Sequence, residues 1–255
     1  MRAVIFSVVN QKGGVGKTTT AINLASFLAE SGHKTLLIDS DPQANASSGV
    51  GVRQDRIDKN IYHLIIENEP LESVIYPTAF DNLHLIPSSQ DLSGAEIELI
   101  EYVSRETILK QRLEPLSAYY EFIIIDCGPS LGLLTINALT ATHKAIIPVQ
   151  CEYFALEGIA HLLETLNLVK DGLNPDLEIM GIVLTMFDKR TALNKQVVSN
   201  TREFFKELVF DTIVPRNIRL SEAPSHGLPI ALYNPQSKGS EAYQSLAKEV
   251  VARVR

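Results

Sequence analysis

The sequence contains no tryptophan, only two cysteines and no long hydrophobic run. Two cysteines cannot form the disulfide framework of a small secreted protein, and neither these nor the six histidines have the spacing of a metal site. No apolar run approaches the roughly 18 residues that a membrane-spanning helix needs. The chain enters an apolar segment at Ala3, so we expect no cleavable signal sequence and no operator-reading DNA domain ahead of it. These absences favour a soluble, cytoplasmic protein.

Basic charge is also scarce over most of the chain. Its 255 residues carry a formal net charge of −7, which argues against a generally basic surface that coats nucleic acid. A hydrophobic content of 45% and a charged content of 21% are typical of a globular protein. No Pro/Gly/Ser-rich linker, repeat or low-complexity tract divides the sequence. We therefore expect a single domain over residues 1–255.

Short apolar runs alternate with segments of helical length. The runs cover residues 4–9, 35–39, 83–87, 122–126, 145–149, 179–186 and 209–214, and the clearest helical segments are 19–29, 156–170 and 194–208. Strands that are apolar at nearly every position are typical of a parallel sheet with helices on both faces. The pattern predicts a doubly wound α/β fold with a mostly parallel sheet. We expect residues 49–76 to form an excursion between the second and third strands, with a short helix at 61–67. Cys127 and Cys151 both follow apolar runs and could lie on neighbouring strands.

Residues 11–19, which read QKGGVGKTT, lie between the first apolar run and the first helical segment. A glycine-rich turn between a strand and a helix presents backbone N–H groups to phosphate oxygens at the helix N-terminus. In such a turn Lys17 can reach the β and γ phosphates, and the Thr18 hydroxyl can ligate the accompanying magnesium. The strict Walker A pattern fails because its first glycine position holds Gln11, so the segment matches a variant with a second lysine, Lys12. The sequence therefore predicts nucleotide binding.

Carboxylates follow two of the predicted strands. Asp39 and Asp41 come at the end of the run 35–39, and Asp126 ends the run 122–126. Open α/β sheets bind ligands at the carboxyl ends of their strands, so these aspartates can face the phosphate site. An apolar strand that ends in one aspartate is the Walker B pattern, in which Asp126 holds a water of the magnesium shell. Capping of a turn or of a strand end is the alternative role for all three aspartates.

Three segments together resemble the ParA/MinD family of deviant Walker A ATPases, whose members have a P-loop NTPase fold. They are residues 12–19 (KGGVGKTT), 38–43 (IDSDPQ) and 125–130 (IDCGPS). Residues 149–158 and 213–224 are similar to the Soj-like chromosomal branch, and the resemblance extends along nearly the whole chain. Gly128 departs from the pattern, because the family usually carries a second proline there. A glycine can loosen the loop after Asp126, although it removes no functional group.

The resemblance implies ATP and Mg²⁺ as ligands and an ATP-dependent homodimer. Lys12 resembles the signature lysine that reaches the nucleotide of the partner subunit, which makes hydrolysis conditional on dimerisation. Asp41 resembles the residue that positions the attacking water, and Asp39 supports the magnesium or the switch geometry. The residues implied at the phosphates are Gly13, Gly14, Val15, Gly16, Lys17, Thr18 and Thr19, those at the metal are Thr18, Asp39 and Asp126, and those at the adenine are Pro215 and Asn217.

The sequence lacks a motif that would indicate guanine as the base of the nucleotide. Guanine-specific phosphate-loop proteins of the Ras class carry Asn-Lys-x-Asp, whereas the one Asn-Lys pair here, at residues 194–195, is followed by Gln-Val. Adenine is therefore the expected base. Phosphoryl transfer asks little covalent chemistry of the protein, so we expect slow intrinsic hydrolysis that a partner raises. The resemblance to the ParA/MinD family implies that such an ATPase is a switch for chromosome or plasmid partition.

One span is basic within this anionic chain. Residues 188–219 contain seven Lys or Arg and four Asp or Glu, a net charge of +3. Resemblance to Soj-like proteins places Arg190 and Arg219 on a dimer surface that binds double-stranded DNA without sequence preference, and it implies a ParB-like centromere-binding partner. Arginine contacts to phosphates give such salt-sensitive binding. A solvated face with ordinary ion pairs is the alternative.

The C-terminal stretch offers a competing function. Its apolar residues fall on one helical face: Tyr243, Leu246, Ala247, Val250, Val251 and Val254. MinD-like relatives end in an amphipathic helix that binds membranes. Here the apolar face lacks Trp and Phe and the polar face is mixed in charge, so we expect a helix that docks on the core and no membrane partner. Amide-forming and iron–sulfur relatives are a third class, and Cys127 and Cys151 do not match the iron–sulfur pattern.

Overall fold

The computed structural model describes residues 3–152 and 155–254, without the side chains of residues 155–157. Tyr153 and Phe154 of the Soj-like segment 149–158 therefore lie outside the described residues. The strands are β1 (Val4–Val8), β2 (Thr35–Ser40), β3 (Tyr76–Pro77), β4 (Leu83–Ile86), β5 (Phe122–Cys127), β6 (Lys144–Gln150), β7 (Glu178–Phe187) and β8 (Val209–Pro215).

The helices alternate with these strands along most of the chain. They are α1 (Lys17–Glu30), α2 (Asn45–Gly49), α3 (Ile61–Ile65), α4 (Leu71–Val74), α5 (Leu92–Glu98), α6 (Ile108–Leu113), α7 (Leu133–Ala141), α8 (Ala155–Gly172), α9 (Ala192–Phe205), α10 (Ile218–Glu222), α11 (Ile230–Tyr233) and α12 (Lys238–Val254). Short 3₁₀ turns cover Gln54–Arg56, Leu99–Glu101, Glu114–Ala118, Lys206–Leu208 and Ala223–His226.

The eight strands form one sheet in the order β3-β4-β2-β5-β1-β6-β7-β8. Neighbouring strands run parallel except at one edge, where β3 pairs with β4 antiparallel. Every residue of β2 and of β5 is buried. Helices cover both faces of such a sheet, which is why its central strands read as continuous apolar runs rather than alternating ones.

Two hydrophobic clusters lie on the two faces of the sheet. Ile5 of β1 belongs to one cluster and the next residue, Phe6, belongs to the other, because successive side chains of a strand point to opposite faces. Helices α5 to α8 pack on the face of Ile5, and α1 and α12 pack on the face of Phe6. The carboxyl ends of β1, β2 and β5 therefore open on one edge between these helical layers, and the predicted motifs follow those ends.

The predicted doubly wound α/β fold with a mostly parallel sheet is confirmed, and each predicted apolar run coincides with a strand to within one residue at either end. The helical segments 19–29, 156–170 and 194–208 correspond to α1, α8 and α9, although residues 206–208 form a separate 3₁₀ turn. The excursion 49–76 contains α3 and α4. The sequence does not predict β3, because it has two residues and one is Pro77, which cannot donate to the ladder. The single domain over residues 1–255 stays a prediction.

The sequence allowed the two cysteines to lie on neighbouring strands, but in the structure they do not. Cys127 ends β5 and Cys151 follows β6, and β1 lies between those strands. Both thiols are free and buried, and burial raises the pKa of Cys127 to about 12 and that of Cys151 to about 11. Buried neutral thiols of this kind are inert packing groups.

Helix α12 docks on the core through one face. The buried residues of this face are Tyr243, Leu246, Ala247 and Val250. The Arg253 guanidinium donates to the backbone carbonyls of Met180 and Val209, both at 3.1 Å, and lies 4.1 Å from the centre of the Phe210 ring. These contacts attach the last turn of α12 to β7 and β8. Among the described helices, none is both long and apolar enough to cross a membrane.

Candidate active site

The glycine-rich turn connects β1 to α1 at the carboxyl edge of the sheet. Gly16 precedes the first residue of α1 with φ 91°, and Gly14 has φ 73°. Both angles lie in the left-handed region that favours glycine. A Cβ atom added to Gly13 or Gly14 would meet nothing within 4 Å. The turn is therefore open on the side where backbone N–H groups at the start of α1 can receive phosphates.

Two buried polar side chains hold this turn in place. The Asn10 amide donates to the Pro148 carbonyl at 2.8 Å, and its oxygen accepts from the Lys12 N–H at 2.9 Å. The Thr185 hydroxyl donates to the Val15 carbonyl at 2.8 Å. The turn is thus attached to β6 and β7. Sequence reasoning missed both residues, although each is a polar residue in or next to a strand-like apolar run.

Lys17 is held inside the turn. Its ammonium group donates to the Lys12 carbonyl at 3.1 Å, and the residue is 7% exposed. Burial lowers the pKa of Lys17, and the carboxylates of Asp126 and Asp41 oppose that shift. A buried cation attached to a carbonyl of its own loop is placed to exchange that bond for a phosphate oxygen.

Asp39 and Asp126 face each other across neighbouring strands, because β2 and β5 pair in register at these residues. The Asp39 carboxylate accepts from the Ser47 N–H and hydroxyl, both at 2.7 Å, and from the Asp41 N–H at 3.2 Å. Burial nevertheless raises the pKa of Asp39 to about 6. Through these hydrogen bonds Asp39 attaches α2 to the end of β2 and holds the loop between them. Ser47 is a further residue that the sequence did not single out.

Asp126 is as deeply buried, but neither carboxylate oxygen makes a close hydrogen bond within the described residues. Burial and the charge of Asp39 raise the pKa of Asp126 well above its ordinary value, while the Thr18 hydroxyl favours the charged form. Unsatisfied buried carboxylate oxygens are rare in proteins and often mark an ion site. The described residues contain no group of three His, Cys, Asp or Glu that could hold a metal by itself. Mg²⁺ typically binds through one or two protein oxygens plus phosphates, so Thr18 and Asp126 fit that ion.

Asp41 lies at the mouth of the same edge. It is 8% exposed, and its Oδ1 accepts from the Gln43 N–H at 3.0 Å. Gly128, the departure from the family pattern, lies beside it: a Cβ on Gly128 would be 3.6 Å from the Asp41 carboxyl carbon. The loop after β2 and the loop after β5 therefore meet at these two residues. Within the described part of the chain the Gln43 N–H is the one donor to the Asp41 carboxylate, which leaves acceptor capacity for a water.

A cavity of about 560 Å³ opens beside the turn. Its lining includes Gly16, Thr19, Met186, Pro215, Asn217 and Tyr243. The Asn217 side chain accepts from the Arg219 N–H at 2.8 Å and so begins α10. Pro215 ends β8. The structure brings the two predicted adenine residues to a cavity that adjoins the phosphate turn.

Three predicted residues lie outside this cavity, on the surface. The side chain of Lys12 is 42% exposed and its ammonium group lies 3.5 Å from Glu152. Arg190 forms a two-bond ion pair with Asp188, at 2.7 and 3.0 Å, which holds the pKa of Asp188 far below its usual range. Arg219 pairs with Glu222 at 2.7 Å. Exposed pairs of this kind contribute little stability and can be exchanged for other anions.

Comparison with known proteins agrees with this geometry. A family model described as an AAA domain matches residues 3–179. The chromosome partitioning protein ParA of Myxococcus xanthus is 53% identical over 249 residues, which cover 98% of this chain and 88% of that protein. The sporulation initiation inhibitor protein Soj of Bacillus subtilis is 52% identical over 248 residues, which cover 97% of this chain and 98% of that protein.

Among solved structures, cobyrinic acid a,c-diamide synthase from Mycobacterium smegmatis with bound ADP and magnesium is similar to this chain with a TM-score of 0.87. The two sequences are 33% identical, and the match covers 99% of this chain and 95% of that chain. The identity to the Myxococcus xanthus and Bacillus subtilis proteins is higher, at 53% and 52%, and those matches cover 98% and 97% of this chain.

Proposed function

Because this chain belongs to the ParA/Soj family of chromosome-partitioning ATPases, we propose that it is a DNA-associated switch for chromosome or plasmid partition. It dimerises with ATP, binds double-stranded DNA without sequence preference and leaves DNA after hydrolysis, which a ParB-like partner speeds. One observation carries the proposal: the unsatisfied, buried carboxylate of Asp126 lies near the Thr18 hydroxyl beside an open glycine turn. That combination suits a magnesium nucleotide.

The residues of the turn bind the phosphates. Backbone N–H groups of residues 13–19 and the Lys17 ammonium group receive phosphate oxygens. Thr18 and Asp126 would hold Mg²⁺, which when bound neutralises charge that develops on the phosphates. Asp39 is assigned a supporting role, because its oxygens are already engaged by Ser47 and Asp41. It holds the loop that carries Asp41 toward the site.

Asp41 is proposed to orient the attacking water. Its carboxylate is nearly buried, accepts one hydrogen bond from Gln43 and faces the loop after Asp126. Lys12 is proposed to act on the nucleotide of the second subunit of the dimer, since its side chain is exposed and contacts Glu152 at the surface. A cation supplied by a second subunit lowers the cost of charge in the transition state, which makes hydrolysis depend on dimerisation.

Arg190 and Arg219 are proposed to bind DNA phosphates. Both side chains are exposed, at 83% and 54%, and each pairs with one carboxylate of its own surface. Phosphate oxygens can replace Asp188 and Glu222 as acceptors, and such contacts give affinity that falls steeply with salt. Adenine is proposed to lie against Pro215 and Asn217 in the neighbouring cavity.

A MinD-like, membrane-associated positioning ATPase is the alternative. That function needs α12 to offer an apolar face to lipid. In this chain the apolar face of α12 is buried against α1 and the sheet, and Arg253 attaches its last turn to two strands. These contacts favour DNA over a membrane as the surface on which the protein acts.

The test is sedimentation of the Asp41→Ala variant with ATP and Mg²⁺, in parallel with nonspecific duplex DNA and with anionic liposomes. Asp41→Ala should accumulate the ATP-bound dimer because it slows hydrolysis, and Lys17→Ala is the matched control that loses nucleotide binding. We expect salt-sensitive binding to DNA that weakens with Arg190→Ala or Arg219→Ala. Binding to liposomes alone would contradict the proposal and support the membrane alternative. A rate of hydrolysis unchanged by partner plus DNA would contradict the switch.

A further inference from the structure

Helix α5, the 3₁₀ turn that follows it and the next two residues expose several large apolar side chains. Ile97, Ile100 and Val103, which we call the α5 patch, are 72%, 58% and 93% exposed. Ile97 and Ile100 are three residues apart and so lie on one face of the helical segment. The opposite face is fully buried in the core through Leu92, Ala95 and Leu99. The exposed apolar residues therefore do not contribute to the hydrophobic core.

The α5 patch lies in an acidic stretch of the chain. Residues 91–106 contain five Asp or Glu and one Arg, a net charge of −4 within a chain whose total is −7. Arg105, the one cation, pairs with Glu106 at 3.0 Å. Glu98 accepts from the Tyr62 hydroxyl at 3.1 Å, which leaves its charge uncompensated. Apolar side chains with several carboxylates close by in the sequence favour a partner that offers apolar side chains together with Lys or Arg.

The same helix contacts both loops of the nucleotide site. Ser93 and Glu96 of α5 line a cavity of about 120 Å³ together with Ser40, Pro42, Gly128 and Ser130. Glu96 also packs tightly on Gly132, just before α7: a Cβ there would lie 2.1 Å from the Glu96 carboxylate. Helix α5 therefore lies between its exposed outer face and the loops that follow Asp39 and Asp126.

We propose that the α5 patch is the docking surface for a basic, amphipathic segment of a partner protein, and that this segment acts on the two loops through α5. The inference rests on the proposed function, in which a partner speeds hydrolysis. A second copy of this chain is a poorer occupant. A two-fold interface would place the same patch on both sides and so bring two stretches of net charge −4 together.

The experiment measures ATP hydrolysis by the full-length protein with duplex DNA and increasing amounts of the purified ParB-like protein. The test variants are Ile97→Ser with Ile100→Ser, and Glu101→Lys. The matched controls are Phe204→Ser, which removes an apolar side chain that is 76% exposed on α9, and Asp176→Lys, an equal charge reversal in an exposed loop. Hydrolysis without the partner, DNA binding and ATP-dependent dimerisation are measured for every variant.

We expect the Ile97/Ile100 variant to raise the half-saturating partner concentration by about tenfold or more, as for loss of a central apolar contact. Glu101→Lys should raise it less and make it less sensitive to salt. The control variants and all measurements without partner should match wild type. A half-saturating concentration that does not change would overturn the inference, and loss of dimerisation in the Ile97/Ile100 variant would assign the patch to a second copy instead. Wild-type hydrolysis that the partner does not change would overturn the proposed function itself.

Discussion

Asp39 and Asp126 lie directly opposite each other on β2 and β5, yet three donors satisfy the carboxylate of Asp39 while that of Asp126 has no close hydrogen bond among the described residues. Two buried carboxylates side by side repel, and an unsatisfied one also bears its full desolvation cost. Without a bound cation, the pair of carboxylates therefore lowers the free energy of unfolding of the protein. Binding of a cation at Asp126 would relieve that cost.

The first prediction concerns this cost. We expect Asp126→Asn to stabilise the nucleotide-free protein by about 2 kcal/mol, because it removes one of two adjacent buried negative charges. It should also abolish the rise in Tm that ATP with Mg²⁺ gives to wild type. Urea unfolding and thermal melts with and without Mg²⁺-ATP measure the two effects. Asp41→Asn is the control and should not stabilise, because Gln43 already donates to its carboxylate. A variant no more stable than wild type would contradict the assignment.

The second prediction separates the two lysines of the turn. Lys12→Ala should leave the free energy of unfolding within about 0.5 kcal/mol of wild type, because the side chain is exposed and its pair with Glu152 is long, at 3.5 Å. The same change should abolish ATP-dependent dimerisation, measured by light scattering in the Asp41→Ala background so that hydrolysis does not interfere. Lys110→Ala, which removes an exposed lysine from α6, is the control. Equal dimerisation of all variants would rule out a role for Lys12 across the interface.

The third prediction addresses Gly128, where the family usually has proline. Its φ is not in the left-handed region, and a Cβ would make only ordinary contact with Asp41. Gly128→Ala should therefore raise stability by about 0.5 kcal/mol through the unfolded chain and leave hydrolysis within about twofold. Gly16→Ala, at φ 91°, should instead destabilise the turn and weaken ATP binding. A large loss of hydrolysis in Gly128→Ala would mean that the loop needs glycine for movement.

The sequence predicts the parts of this site that lie at strand ends and in the glycine-rich turn. An aspartate directly after an apolar strand, or a glycine-rich turn before a helix, has few possible roles. The sequence predicts less well what depends on distant contacts. Asn10 and Thr185 hold the turn through residues far along the chain. Ser47 of α2 satisfies Asp39 at the end of β2, and the chain between them has no periodic pattern that indicates this contact. The net charge of residues 188–219 also does not show that Arg190 forms an ion pair with Asp188. Such contacts depend on how the side chains pack in the folded protein. The hydrophobic periodicity of the sequence does not indicate them.

The fourth prediction concerns the basic span 188–219. Arg190→Ala should weaken binding to nonspecific duplex DNA and lower the slope of log affinity against log salt by about one per subunit. Asp188→Asn should strengthen binding, because it frees the guanidinium, and this gain should vanish when Arg190 is also replaced. Arg53→Ala is the control: it forms a similar two-bond pair with Asp55 but lies outside the basic span. Equal losses at Arg53 and Arg190 would leave only a nonspecific charge effect.

The last prediction tests the role of α12. Arg253 donates to two backbone carbonyls, pairs with Glu249 at 2.8 Å and lies over the Phe210 ring. Arg253→Ala should therefore destabilise the protein by about 2 kcal/mol, since the carbonyls lose their donor and the ring loses its cation. Flotation with anionic liposomes should show no binding for wild type or for the variant. A membrane helix would behave in the opposite way: Arg253→Ala would leave stability unchanged and reduce binding to anionic lipid. The two measurements together decide whether α12 serves the core or a membrane.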